Sequence, residues 1–562
     1  MMPAPKAPIG ISDFKTLRES GLYYVDKSLF LRDILDKPAQ VILLPRPRRF
    51  GKTLNLSTLR YFLEKTPESH APLFHGLAIE RYPEFMARQG QYPVVYLTFK
   101  DVKEPTWDAC LEKIADLLAV ELDRHAEWIE SVPLSEREVG LWRQLRGKTA
   151  NQTMLEQSLA LLMALLHRAC GQKVFLLIDE YDAPIHSGFQ FGYYEEVILF
   201  TRNLLSAALK DNLDLAKGVM TGILRIAKES IFSGLNNPDI FSILSPQMSE
   251  HFGFTETEVT RLLEDFQLSD HLALAREWYN GYVFGGQVIY NPWSILQFIS
   301  RPEEGARPYW VNTSANELIR DLITRTDSAL REQVEILLSG GSITAPLDDN
   351  IVLRDIELNH NTIWNFLTFS GYLKPVRRIE RELTPLYELA ISNREVRYFF
   401  HTTIQNWLSR QIGDQRLHPL LRALLAADME TFEDVLREMV LETMSFHDTA
   451  GQEPEKVYHA FVLGLLVTLT ESHRVRSNRE SGFGRYDVML LPKNPAQTGF
   501  VLEFKKINRH RGETEKSAMA SALKQIQEKN YATELRATGI GNILGIGVVV
   551  DGKQVWVDSM SL

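Results

Sequence analysis

Between Val41 and Thr53 the chain reads VILLPRPRRFGKT. A short apolar run leads into a turn, and glycine, lysine and threonine then open a helical pattern. This order constrains the fold strongly, because a strand–loop–helix unit with Gly-Lys-Thr at the helix start is the shape of a phosphate-binding loop. Backbone N–H groups at such a helix start cradle phosphates, the lysine reaches the terminal phosphates, and the hydroxyl ligates magnesium. Here those residues are Gly51, Lys52 and Thr53, with Arg48 and Arg49 adding positive charge beside them. The general signature asks for glycine at its first position, where this chain has Arg46.

A second element answers that irregularity. VFLLIDE sets Asp179 and Glu180 at the carboxyl end of an apolar strand, the edge at which open α/β sheets hold ligands. One acid there can hold magnesium and the other can orient and deprotonate an attacking water, which is most of what phosphoryl transfer requires. A GKT loop and a strand-borne acid pair in this order point to a nucleotide site with Asp179 and Thr53 on the metal and Glu180 as the catalytic base. The following run, GVMTG, carries Thr221, and Arg225 comes just after it. Thr221 can sense the terminal phosphate or cap a turn before Gly222. Arg225 can neutralise transition-state charge or pair with a surface acid. The YVDK run from Tyr24 to Lys27 reads equally as a contact for the base and as a helix start.

From Val41 to about Met248, apolar runs at Val41, Val94, Val174 and Leu215 alternate with amphipathic stretches such as Leu54 to Glu64 and Met154 to Arg168. Continuous apolar strands separated by helices predict a parallel α/β sheet. Beyond Met248 the pattern turns mostly helical up to about Ala426, broken by the aromatic, turn-rich WYNGYVFGGQVIYNPWSI. Thr255 with Glu258 ahead of Val259 and Leu262 makes a capping-box start. The expected layout is an ATPase core at 1–245, a helical lid at 246–300, a helical and winged-helix-like middle region at 301–444, and a mixed domain at 445–562. A chain of 562 residues accommodates several such domains. A net charge of −10 argues against wholesale coating of a polyanion but leaves room for a local basic groove. Two cysteines, Cys110 and Cys170, argue against a disulfide framework and against a cysteine-rich zinc site. The amino terminus lacks the apolar core of a signal peptide, and no apolar stretch reaches the roughly 20 residues of a membrane span. The expected compartment is a reducing cytoplasm.

The motifs PRRFGKT, LLIDEYDAPI, TGILRIAKESIFSGLNN and WYNGYVFGG, in this order, resemble the bacterial family called AAA-ATPase-like proteins, over about residues 8 to 300. That family's phosphate loop is similarly arginine-rich and lacks the first glycine. The resemblance implies a P-loop ATPase of the additional-strand, catalytic-glutamate class with a helical lid, using ATP and magnesium. It does not imply a ring assembly.

A second constellation lies near the carboxyl end, in GRYDVML followed by GFVLEFK. Asp487 and Glu503 fit the two strands of a hairpin with its loop at PKNPAQTG, and Glu503 and Lys505, two apart on one strand, share a face. Two acids and a lysine there can hold magnesium at Asp487 and Glu503 and position a water for attack on a phosphodiester. Gln525 and Tyr531, on a following helix, are placed to brace the site, and Glu455, Tyr458 and His459 begin an earlier helix. Lys506, Arg509 and Arg511 form either a phosphate-contacting patch or a solvated basic loop. EKVYHAFVLGLL, SNRESGFGRYDVMLLP, VLEFKK and ALKQIQEKNY together resemble the PD-(D/E)XK nuclease domain, with a restriction-endonuclease-like α/β fold, over about residues 445 to 562. The resemblance implies that Asp487, Glu503 and Lys505 are catalytic and that Gln525 and Tyr531 support them. The leading proline of that pattern is replaced by Tyr486.

These readings lead to an ATP-regulated, magnesium-dependent nuclease acting on DNA or RNA. Its rivals are a nucleotide-switched signalling or scaffold protein with a non-catalytic nuclease-like module and a small-molecule kinase. Defence or mobile-element biology suits the layout by analogy only.

Overall fold

A computed structural model of the chain describes residues 5–225, 238–310, 328–349, 360–379, 385–412, 414–443, 464–465, 468–469, 472–481, 484–507, 509, 512–528, 532–551 and 554–562. They form two compact units, Met1–Thr313 with Thr344–Glu395, and Ser314–Ile343 with Val396–Leu562. The segment expected as a single middle region is therefore divided between them.

The first unit is built on five strands, β1 (Val41–Pro45), β2 (Val94–Thr98), β3 (Val174–Asp179), β4 (Leu215–Gly222) and β5 (Asp239–Ile240). Four of them are the apolar runs of the sequence. β1 and β3 are buried at every position, so no exposed polar residues alternate with the apolar ones. The spatial order is β2-β3-β4-β1-β5, and every pairing is parallel. β4 thus lies between the loop-bearing β1 and the acid-bearing β3, which is the extra strand of the expected ATPase class. Parallel neighbours need crossovers, and the helices Trp107–Arg124, Ser158–Cys170 and Tyr194–Leu209 lie within them.

After the sheet come the helices Glu256–Asp265, Leu272–Tyr279 and Pro292–Ser300. Val259, Leu262, Tyr279, Ile295 and Phe298 join in one buried apolar cluster. The capping box at Thr255 and Glu258 is present. Where the sequence read as turns, NGYVFGGQVIY forms a hairpin of β6 (Asn280–Phe284) and β7 (Gln287–Tyr290). Lys27 of the YVDK run and the preceding Tyr23 clamp the first of these helices. Lys27 Nζ donates to Glu258 at 2.6 Å and to the Glu250 carbonyl at 2.6 Å. Tyr23 donates its hydroxyl to Asp265 at the other end of the same helix, at 2.5 Å.

Residues 344–395 complete the first unit. β9 (Leu373–Ile379) and β10 (Leu386–Ile391) pair antiparallel, with β8 (Ile343–Pro346) beside β10. This small sheet replaces part of the expected helical pattern. Val376, Arg377 and Arg378 are exposed in succession on β9, so the period-two signal of a strand is missing from its sequence. At the end of this segment Glu395 is fully buried. It accepts from the Trp310 backbone N–H at 2.5 Å and from Ser294 Oγ at 2.8 Å. Trp310 in turn donates its indole N–H to the Arg48 carbonyl at 3.2 Å.

The second unit carries a sheet in sequence order, β11 (His473–Ser481), β12 (Gly484–Pro492), β13 (Gly499–Lys506), β14 (Ile543–Asp551) and β15 (Gln554–Ser561). β13 and β14 are parallel and the other pairs antiparallel. The helix Glu515–Glu528 lies in the parallel crossover. Among the described residues of the whole chain, no helix is long and apolar enough to cross a membrane.

Burial lifts the Glu395 carboxyl from its ordinary value to about 7. An unfolded glutamate titrates near 4.3, so between those values the folded state holds the extra proton. Stability therefore falls as pH rises from about 4.5 and levels off above about 7. Glu395→Gln removes that dependence. Urea denaturation of the variant and the parent at pH 5 and pH 8 is expected to shift by about 2 kcal/mol in the variant's favour at the higher pH. An unchanged difference would show that Glu395 is ionised in the folded protein.

Candidate functional site

The phosphate loop runs from the end of β1 to the helix Lys52–Leu63. Gly51, the residue before that helix, has φ +84°, a left-handed conformation that glycine adopts without cost. Lys52 is buried and donates its Nζ to the carbonyls of Arg46 at 3.0 Å and Pro47 at 3.1 Å. The ammonium is thus held inside the loop. Burial lowers its pKa, opposed by Glu180, Asp179 and Asp182.

Arg46 turns away from this centre. It is 0 % exposed and donates to the carbonyls of Pro45 at 2.8 Å, Phe241 at 2.5 Å and Met248 at 3.2 Å. Its guanidinium also lies over the rings of Phe252 and Phe284 at 4.8 and 5.4 Å. Burial pulls it down to about 9, which leaves it charged at neutral pH. The residue standing where the general motif has glycine is a structural cation behind the loop.

Asp179 is 0 % exposed and gathers three hydroxyls. Thr53 Oγ1 donates to Oδ2 at 2.7 Å, Thr221 Oγ1 to Oδ1 at 2.6 Å, and Thr98 Oγ1 approaches Oδ2 at 3.4 Å. The sequence pair Thr53 and Asp179 is therefore assembled, and its all-oxygen donor set suits a hard cation such as magnesium. Thr221 orients this carboxylate. Glu180 follows at φ +50°, and its charge acts on both Arg49 and Lys52. Arg49, at φ +68°, stacks its guanidinium 4.3 Å from the centre of the Trp293 ring. Arg225 instead donates to Asp349 at 2.9 Å, the surface-acid reading of its two sequence roles.

One residue within LLIDEYDAPI was not singled out by the sequence reading. Asp182 is buried and its Oδ2 accepts from the backbone N–H groups of Ile223 at 2.8 Å and Leu224 at 3.0 Å. It ties the exit of β3 to the exit of β4. A Cβ on Gly222 would stand 2.6 Å from Asp182 Oδ1, so the carboxylate fits only against glycine. The signal was a third acid two positions beyond Glu180, hidden because its donors lie just past a strand distant along the chain.

In the second unit, Glu503 is 5 % exposed. Gln525 donates its amide N–H to Glu503 Oε1 and accepts from Lys505 Nζ at 3.0 Å. Lys505 also donates to Ser521 Oγ at 3.1 Å, one turn before Gln525 on the same helix. The helix approaches because β14 is small there. A Cβ on Gly547, which pairs with Glu503 across the ladder, would meet Met519 Sδ at 2.8 Å. Asp487 lies on β12 directly before Val488, which pairs with Leu502, while the Asp487 side chain falls outside the described residues. Glu455, Tyr458, His459, Arg511 and Tyr531 also lie outside them. Lys506 is exposed, and Arg509 donates to Asp551 at 2.7 Å.

Asp182→Ala leaves two buried N–H groups without acceptors, at about 1–3 kcal/mol each. Chemical denaturation is expected to show a loss of about 3 kcal/mol, with Asp182→Asn, which keeps an acceptor oxygen, losing less. Equal, small effects of both would remove Asp182 from this role.

Residues 8–232 match the family described as "Predicted AAA-ATPase", and residues 453–560 match the PD-(D/E)XK nuclease superfamily. An uncharacterized protein from the vnfD 5′ region of Azotobacter chroococcum mcd 1 is 27% identical over 578 aligned positions, covering 99% of this chain and 98% of the relative. A solved Walker-type ATPase of Pyrococcus abyssi is 14% identical, with a TM-score of 0.34 over 71% of this chain and 99% of that one. The chain is thus similar to the predicted AAA-ATPase family over residues 8–232 and to the PD-(D/E)XK nuclease superfamily over residues 453–560.

Proposed function

We propose that the chain is an ATP-hydrolysing switch that governs an attached magnesium-dependent nuclease acting on DNA or RNA. The observation that carries this reading is that each unit holds its own acid-and-lysine centre. Thr53, Asp179 and Lys52 converge in the first, and Glu503, Gln525 and Lys505 in the second.

In the first site, the loop amides and Lys52 bind the phosphates of ATP, and Thr53 and Asp179 hold the metal. Magnesium there supplies charge neutralisation of the phosphates. Glu180 orients the attacking water and accepts its proton. In the second site, Asp487 and Glu503 hold the metal and Lys505 orients the water or stabilises the charge of the phosphodiester transition state. Gln525 fixes the spacing of Glu503 and Lys505. Coupling requires ATP to favour one arrangement of the chain over another, since a ligand with equal affinity for both shifts nothing.

The full chain is assayed for ATP hydrolysis and for cleavage of single- and double-stranded DNA and RNA, with magnesium or manganese, with and without ATP. Glu503→Ala and Lys505→Ala are each expected to abolish cleavage and leave ATP hydrolysis intact. Lys52→Ala is expected to lower hydrolysis by about 100-fold or more and to remove the effect of ATP on cleavage. Cleavage that survives in both carboxyl-terminal variants would sink the site assignment.

A further inference from the structure

Arg49 and Glu180 are the two charged residues of the first site that adopt left-handed backbone, at φ +68° and +50°. Non-glycine residues pay for that conformation, and it persists where the surroundings over-determine it. The Glu180 charge acts on Arg49, so a cation lies within electrostatic reach of the candidate base.

What fixes the direction of the Arg49 side chain is Trp293, at the start of the helix Pro292–Ser300. The guanidinium carbon lies 4.3 Å from the ring centre. The indole is itself pinned, donating its Nε1–H to the Tyr309 carbonyl at 3.2 Å. Arginine stacks on an aromatic face through its planar, weakly hydrated cation, and the stack leaves its edge N–H donors free to point elsewhere. Such a cation, aimed in advance at the place where charge grows, lowers a barrier without reorganising during the reaction.

We propose that Trp293 is a positioning residue for ATP hydrolysis. It holds Arg49 so that the guanidinium meets the terminal phosphate as negative charge develops there, opposite the water oriented by Glu180. This rests on the ATPase reading above. It adds a cis-acting arginine borne by the phosphate loop itself and a tryptophan that aims it.

The test uses the full chain with four variants, Trp293→Ala, Trp293→Phe, Arg49→Ala and Trp293→Ala with Arg49→Ala. ATP affinity is read by equilibrium binding of a fluorescent ATP analogue, and the chemical step by single-turnover hydrolysis. Trp293→Ala is expected to slow hydrolysis by about 10- to 100-fold while affinity changes less than about threefold. Trp293→Phe, which keeps a ring face, is expected to recover most of the rate. The double variant is expected to be no slower than Arg49→Ala alone, because the two residues act as one unit. Multiplicative losses in the double variant, or a phenylalanine as poor as alanine, would overturn the proposal. So would an alanine variant whose rate matches the parent. Lys52→Ala serves as the reference for the underlying reading. Parent hydrolysis that does not depend on Lys52 would overturn the ATPase reading and this proposal together, whereas Lys52-dependent hydrolysis indifferent to Trp293 overturns this proposal alone.

Discussion

The buried guanidinium of Arg46 is the interaction on which the first unit turns. A cation moved out of water is costly unless its donors are met. Here carbonyls from three separate stretches accept from its two terminal nitrogens and two aromatic rings lie against the guanidinium, while Nε has no hydrogen-bond partner among the described residues. Because Phe241 follows the edge strand β5 and Met248 leads towards the lid helices, one side chain gathers the end of β1, the sheet edge and the lid approach. A glycine at this position could do none of that. The loop gives up the general motif's first residue and gains an anchor that sets where the loop starts.

The two candidate sites solve a common problem by different means. Each must keep acids close to a lysine without letting them collapse into a simple ion pair. In the first, Lys52 is occupied by loop carbonyls and Asp179 by hydroxyls. In the second, the Gln525 amide stands between Glu503 and Lys505, donating to one and accepting from the other. Neutral hydrogen-bonding groups act as spacers in both, so the charges stay apart and directed.

The sequence disclosed whatever depends on local pattern. The continuous apolar runs of β1 to β4, the capping box at Thr255 and the shared face of Glu503 and Lys505 follow from period and spacing alone. β5, only two residues long, and β9, with successive exposed side chains at Val376, Arg377 and Arg378, carry too little pattern to be read. Asp182, Trp293, Trp310 and Glu395 were hidden for another reason. Their partners lie far away along the chain, and nothing in the neighbouring residues records such a contact. Lys27 shows the same limit: its motif was visible, but its partner Glu258 was not. Arg225 could be read two ways until Asp349 was placed beside it.

The first unit is assembled from two stretches of chain, with residues 314–343 assigned to the second unit between them. During synthesis from the amino terminus, the parallel sheet and its phosphate loop emerge early. Trp310 supports the loop at Arg48, yet the carboxylate that receives the Trp310 N–H belongs to Glu395. The candidate site therefore lacks this support until residue 395 has left the ribosome. By then residues 314–343 are already out, while most of their own unit, from Val396 onward, is still to come. Nascent-chain folding would thus finish the amino-terminal unit late, through contacts of long sequence separation, which form slowly and leave apolar surface open meanwhile. Bringing Thr344–Glu395 back to Met1–Thr313 brings together parts of the chain far apart in sequence, at an entropic cost that rises only slowly with the length between them.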